Sequence, residues 1–400
     1  MMFDTSNCTP KSEIDRRIAE FQRRLEGAET EAALILQNVD LFYFSGTLQQ
    51  SYLYIPVSGD PLLMVRKDTR RARAESPISL QVPIRSPRQI PEILTQQGCP
   101  TPGSLGLELD VLPTNIYFGL REVFVDAEIK DVSLAIRGQR AIKSDYELAI
   151  IRETAKLADQ VSSRVPDILT KGMTEIEMAG KLEAEARKLG HQGIVRMRLW
   201  GGELFYGHLM AGSAAAVPSY LASPTGGAAL GPAVAQGSSF RRIEEGEPVL
   251  VDYVFSHKGY IVDHARIFAV GGLPDDLLAA HETMLDLQEL LKKEIRPGIS
   301  PGSIYQTALT WTEEKGYGEY FMGHGKERIR FVGHGVGLEL DEWPILAQGQ
   351  NNPVQENMII ALEPKLIFPG RGVVGIENTH RVTPSGLEQL TRFSESITIV

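Results

Sequence analysis

Residues 249–268, "VLVDYVFSHKGYIVDHARIF", return in outline at residues 360–382, "IALEPKLIFPGRGVVGIENTHRV". Each run reads as an apolar strand ending in an acid, a turn containing glycine, and a second strand carrying another acid. The helical stretches before them repeat as well. "GMTEIEMAGKLEAEARKLG" (172–190) and "GISPGSIYQTALTWTEEKG" (298–316) share their length, a Thr or Ser two residues after the first glycine, and a closing glycine. Another long helix precedes each, over about 145–168 and 275–294. A helix pair followed by a strand hairpin, present twice, predicts a pseudo-two-fold domain whose site lies between its halves.

Outward from this repeat, the first third of the chain has a different pattern. Ser12 with Asp15 opens a helix whose apolar residues Ile14, Ile18, Phe21 and Leu25 keep helical spacing up to Gly27. A strand-like "AALILQ" follows, and "SYLYIPVSGDPLLMVR" reads as a hairpin around Ser58-Gly59-Asp60-Pro61. This predicts an α/β domain over residues 1–137. Ser144 and Glu147 then form a capping-box pattern that opens the second domain, residues 138–400.

Four hundred residues, 42% of them hydrophobic, are enough for two domains with cores of their own. A formal charge of −10 argues against nucleic acid or an anionic membrane as partner, since either demands a basic surface. The short basic cluster "RKDTRRARAE" (66–75) is interrupted by acids and reads as a solvated helix face. The two cysteines, Cys8 and Cys99, build no disulfide framework and have no metal-type spacing. The first residues lack the apolar stretch of a leader peptide, and there is no 18-residue apolar run. The expectation is a soluble, cytoplasmic protein.

The acids of the repeated hairpins carry the chemistry. Asp252 and Asp263 flank the turn "SHKG". If that turn is the symmetric centre, they face each other across the strands with Cβ atoms about 4.5–5.5 Å apart. Glu363 and Glu377 flank "PGRG" in the same manner. All four sit in apolar runs that predict burial, and adjacent buried carboxylates stay ionised only with a cation between them. One such pair could share a proton as an acid/base dyad. Two duplicated pairs, joined by a histidine, fit a dinuclear metal site better. That histidine is His334 in "VGHGVGLELDEWP" (332–344), set among Gly333, Gly335 and Gly337 and followed by Asp341 and Glu342. Mixed carboxylate and imidazole ligation favours Mn²⁺, Co²⁺, Fe²⁺ or Zn²⁺.

These motifs, with "IIALEP" and "GVVGIENTHRVT", resemble the creatinase, aminopeptidase P and prolidase family, the M24 metallopeptidases of pita-bread fold. The resemblance covers nearly the whole chain. It implies a creatinase-type N-terminal α/β domain followed by a pita-bread catalytic domain, an α/β (α+β) protein overall. It implies five metal ligands, Asp252, Asp263, His334, Glu363 and Glu377. They would hold two divalent ions, Mn²⁺ first, that bridge a water and turn it into hydroxide. Glu363 would take the proton of that water, and Arg266 would be a charge partner outside the ligands. The glycines around His334 would let the backbone approach the metals and leave room for substrate. Family members are often dimers, so a homodimer is expected.

The sequence also departs from the family pattern. Proline-specific members carry a second histidine shortly after the ligand histidine, where Asp341 stands here. They carry another about seventeen residues before the first aspartate, where this chain reads "LGPAVAQGSS" (230–239). The family's arginine and acid beside the last ligand become Gly375 and Asn378. His208 either stands in for a missing imidazole or is a solvent-facing or core histidine. Asp341 either binds a substrate amine or caps the turn before Trp343. Tyr206 and Trp343 read as packing residues, and His264, His324 and His380 as exposed ones. The expectation is an Xaa-Pro aminopeptidase or dipeptidase acting on short peptides. The alternatives are a hydrolase or lyase of a small non-peptide amide or betaine-like compound, and a non-catalytic binding protein of the same fold.

Overall fold

A computed structural model describes residues 7–198 and 206–400. The first six residues of the chain, where no leader peptide is expected, and most of the run just before Tyr206 lie outside the described residues. The chain divides into two compact units, one ending at Arg140 and the other running from Ala141 to Val400.

The first unit is α/β. Its strands are β1 (Ala32–Ile35), β2 (Ser51–Pro56), β3 (Leu62–Val65), β4 (Leu80–Pro83), β5 (Ser104–Leu107) and β6 (Glu128–Asp131). They form one mixed sheet in the order β4-β3-β2-β1-β5-β6. β2 and β3 pair antiparallel across the expected turn, with Tyr54 opposite Leu62. The helix Lys11–Gly27 buries Ile14, Ile18, Phe21 and Leu25, the four positions that helical spacing selects. Its start differs from expectation. Pro10 precedes the first turn and no side chain caps it, so Ser12 lies inside the helix.

In the second unit the helix Asp145–Ser162 starts at the capping box. The Ser144 hydroxyl accepts from the Glu147 amide, and the Glu147 carboxylate accepts from the Ser144 amide. The repeated stretches fold alike: the helices Glu175–Lys188 and Pro301–Glu314 each begin three residues after the first glycine of their run. The helices Asp145–Ser162 and Asp275–Glu294 precede them.

The remaining strands are β7 (Gly207–Ala211), β8 (Val249–His257), β9 (Tyr260–Ala269), β10 (Phe331–Gly335), β11 (Glu342–Ala347), β12 (Ile359–Leu362), β13 (Lys365–Phe368), β14 (Gly372–Gly375), β15 (Asn378–Thr383), β16 (Gly386–Gln389) and β17 (Thr398–Ile399). One sheet runs β17-β9-β8-β7, another β11-β10-β12-β15-β16, and β13-β14 form a two-stranded ribbon. The helix Asp145–Ser162 packs on β8 and β9, and Asp275–Glu294 packs on the β13-β14 ribbon. This is the duplicated arrangement of helix pair and hairpin that the repeat predicts.

Two hairpins carry four of the acids. Ile359–Leu362 pairs with Asn378–Arg381, and Lys365–Phe368 pairs with Gly372–Gly375, in one unbroken register. The ladder opens only at residues 363–364 and 376–377, where the hairpin passes from sheet to ribbon. Glu363 and Glu377 occupy that opening, opposite each other as expected. The β8-β9 register differs from expectation by one residue on each strand. His257 pairs with Tyr260, so the turn is Lys258-Gly259, both with positive φ (50° and 85°), and not "SHKG". Asp252 therefore faces Ala265, and Asp263 faces Val254. The two aspartates share a face as diagonal neighbours, roughly 7–8 Å apart along the backbone, instead of directly opposed.

Candidate metal site

The carboxylates converge because both hairpins turn their acid-bearing faces to one cleft, tied together by an isolated bridge between Ala265 and Glu377. Asp263, His334, Glu363 and Glu377 are each at most 5% exposed. The cleft spans about 740 Å³, part of it open to solvent, and its wall includes all five expected ligands together with His208, Gln236 and Asp341.

His334 lies on β10, a buried strand and not a surface loop. Its Nδ1 donates to the Gly335 carbonyl at 3.2 Å, which leaves Nε2 as the lone pair aimed at the acids. Nε2 is 3.9 Å from Asp263 Oδ2, 3.7 Å from Glu363 Oε1 and 3.9 Å from Glu377 Oε1. Burial pulls the His334 pKa down, but Asp341, Glu363 and Glu377 outweigh it and raise it overall.

The three glycines have a different reason from the expected one. A Cβ at Gly333 would come 2.5 Å from the Ala361 carbonyl on β12, and one at Gly335 would fall on the Trp343 carbonyl on β11. At Gly337 it would meet the Glu342 carboxylate at 2.5 Å. The glycines let the strands flanking His334 close in on it; their near neighbours are protein backbone and the side chains of Leu346 and Glu342.

The acidic pair after His334 divides its work. Glu342 turns away from the cleft, accepts from the Leu338 and Glu339 amides, and pairs with buried Lys143 at 3.0 Å. Asp341, in the left-handed region at φ 59°, faces the cleft with its side chain 41% exposed and Oδ1 3.4 Å from His334 Nδ1.

Asp263, His334 and Glu377 each offer a ligand atom within 4.8 Å of the others. Asp263 Oδ1 is buried and has no hydrogen-bond partner among the described residues, a costly state that a bound cation would relieve. Burial pushes Asp263 well above the usual carboxylate range, helped by Glu377 and Asp252. Burial likewise pushes Glu377 up to about 8, against the pull of Lys365. These three residues fit one divalent ion of the kind that imidazole and carboxylate favour.

The other side of the cleft holds a group that the sequence reading missed. Lys365 Nζ lies 2.8 Å from Asp252 Oδ2, 2.9 Å from Glu363 Oε2 and 2.7 Å from Glu377 Oε2. Burial alone would neutralise this ammonium, yet the three carboxylates hold its pKa well above the usual lysine value. The oxygens that a second ion would need already accept from Lys365, so the residues do not fit two ions as they stand. Strand alternation carries the missed signal: Lys365 is two residues after Glu363 and shares its face.

His208 pairs in register with Asp252 and lines the cleft. Burial lowers its pKa, and Gln236 hydrogen-bonds it. Gln236 comes from the segment "LGPAVAQGSS", where the family pattern has a histidine. Arg266 is 1% exposed and fastens backbone instead of pairing with a ligand carboxylate. It donates to the Ala265, Glu377 and Phe393 carbonyls and to Asn378 Oδ1. Asn378, in place of the family's acid, thus gives this arginine a neutral partner.

Tyr206 is buried and stacks on His191, and Trp343 packs against the helical core, as expected of packing residues. His324 is exposed. His264 and His380 are 3% and 0% exposed, contrary to expectation. His264 shares a 2.6 Å hydrogen bond with Ser162, and His380 lies at the centre of the β12-β15-β16 sheet.

Comparison with known proteins agrees with this geometry. The model of metallopeptidase family M24 matches residues 149–384, and that of the creatinase/prolidase N-terminal domain matches residues 17–142. An Xaa-Pro dipeptidase of Pyrococcus horikoshii is 28% identical over 94% of this chain and 96% of its own length. Among solved structures, an Xaa-Pro dipeptidase from Bacillus anthracis superposes with a TM-score of 0.82 at 25% identity, covering 97% of this chain and all of that one. The prolidase from Pyrococcus horikoshii superposes at 0.79 with 27% identity, covering 95% and 99%.

Proposed function

The chain belongs to metallopeptidase family M24, and from that premise we propose that it is a metal-dependent peptidase that cleaves Xaa-Pro dipeptides and other short Xaa-Pro peptides. One observation carries the reading: Asp263, His334 and Glu377 converge in a cleft with a buried carboxylate oxygen left unpartnered. Relatives named Xaa-Pro dipeptidase support the substrate class.

Asp263, His334 and Glu377 would hold a divalent ion, Mn²⁺ first among Mn²⁺, Co²⁺, Zn²⁺ and Fe²⁺, which would supply Lewis acidity and lower the pKa of the attacking water. Glu363 accepts the proton of that water as its oxygen adds to the scissile carbonyl carbon. The same carboxyl then gives the proton to the proline nitrogen as the C–N bond breaks, leaving a carboxylic acid, which ionises in water, and the secondary amine of proline. His208, oriented by Gln236, hydrogen-bonds the carbonyl oxygen as it gains charge. Asp341, partly exposed at the cleft wall, receives the substrate's α-ammonium.

The test is a panel of metal-loaded assays with Xaa-Pro dipeptides, longer Xaa-Pro peptides, dipeptides without proline, and small amides. Hydrolysis concentrated in the Xaa-Pro members supports the reading, and a panel cut only among the small amides overturns it. The exposed Asp341 carboxylate would suit a small cationic amide as well, which is why that class belongs in the panel.

A further inference from the structure

We propose that Lys365 is a tethered cation standing in for a second metal ion, so that this centre takes one divalent ion per chain, at Asp263, His334 and Glu377. The inference rests on the metallopeptidase reading above and specifies its metal content.

The geometry around Nζ is that of a filled site. An ammonium has three hydrogens to donate. Here three carboxylate oxygens, one each from Asp252, Glu363 and Glu377, lie at 2.7–2.9 Å. Lys365 is 2% exposed, so these are not the loose contacts of a surface lysine that readily swings into water. The carboxylates of Glu363 and Glu377 are divided between Lys365 and the side of the cleft that holds His334. Their Oε2 atoms meet Lys365, while their Oε1 atoms point toward His334 Nε2. That division is what two bridging carboxylates would do between a pair of ions, with the ammonium taking one place.

The opposite strand packs close against the backbone that carries the lysine. Gly375 faces Lys365 across the β13-β14 ribbon. A Cβ at 375 would fall on the Pro364 carbonyl and stand 2.7 Å from Lys365 Cα, so glycine lets the two strands close together where Lys365 leaves the ribbon for the cleft. Charge points the same way. Four carboxylates face one ammonium, and one divalent ion brings the centre within a single charge of neutral. A second ion would need bonds of about 2.0–2.2 Å to the oxygens that Lys365 holds. That would press a divalent cation against the ammonium.

Metal stoichiometry tests this without reference to turnover. The full-length protein is stripped with chelator, equilibrated with excess Mn²⁺ and desalted. Manganese per chain is then measured by mass spectrometry and the Mn²⁺ signal by electron paramagnetic resonance. The expected result is about one Mn²⁺ per chain with the six-line signal of an isolated ion, rising to about two, with an exchange-coupled signal, in Lys365→Gly. Lys365→Met, with circular dichroism as the control, serves if the glycine variant fails to fold. Two coupled ions in the wild-type protein would overturn the lysine inference and leave the metallopeptidase reading standing. A folded Lys365 variant that still holds one ion would also overturn it. Wild-type protein that holds no manganese, cobalt or zinc would overturn both.

Discussion

In the proposed mechanism Glu363 and Lys365, two residues apart and in contact at 2.9 Å, would divide the labour of the cleft between proton transfer and charge. Glu363→Ala removes the proposed proton acceptor and should lower kcat on the order of 10²–10⁴-fold with KM little changed, in steady-state assays on an Xaa-Pro dipeptide. Retained turnover would remove Glu363 from its assigned role. Asp341→Asn keeps the shape of its side chain and loses the charge proposed to meet the substrate amine. KM for free-amine dipeptides should rise several-fold while kcat changes little; an unchanged KM assigns Asp341 to the turn alone. At this scale the gathering of the four acids and His334 in one cleft was legible, because four acids inside apolar runs are too costly to bury without a cation. Lys365 was not. A lone lysine in "LEPKLIFPG" looks like a strand-edge charge until the register shows which oxygens surround it.

At the scale of elements, the strands around His334 depend on close approach. A Cβ at Gly335 would strike the Trp343 carbonyl across β10-β11, so Gly335→Ala must push these strands apart. The expected cost is about 1–3 kcal/mol in urea unfolding; a neutral substitution would show that the strands are loosely packed. The helix Asp145–Ser162, which supports β8 and β9, depends on its capping box. Ser144→Ala should cost about 1 kcal/mol by the same measurement. This capping box was legible from two residues. The β8-β9 register was not, because "SHKG" and the Lys258-Gly259 turn satisfy the same spacing rule. Only the positive φ at both turn residues decides between them. The glycine triplet was visible, but its cause was not: a glycine beside a ligand looks the same whether a metal or a neighbouring strand is close.

At the scale of the molecule, duplication was the most readable feature, since the order of helix pair and hairpin repeats in the sequence and the folded halves repeat it, with second helices of 14 residues in both. What stayed hidden was how strongly burial keeps His191 and His380 neutral. Burial lowers His191 to about 4 and His380 to about 3. Their folded values lie below the unfolded value near 6.5, so the unfolded chain takes up protons first as pH falls. The stability these groups contribute is complete above about pH 6.5 and is lost on the way down toward pH 3–4. His191→Gln should therefore flatten the fall in unfolding free energy between pH 6.5 and 5 by about 2 kcal/mol. An unchanged profile would mean that His191 takes up protons in the folded state too. Metal binding acts on the whole fold as well. Mn²⁺ at a hundred times its dissociation constant should stabilise the protein by about 2.7 kcal/mol, and His334→Ala should lose that gain in thermal unfolding. The most direct measurement is release of free proline from an Xaa-Pro dipeptide by chelator-treated protein, before and after Mn²⁺ is restored. A metal-dependent Xaa-Pro peptidase releases none without metal and recovers fully with it. Proline release that survives the chelator, or that no divalent ion restores, would contradict that assignment.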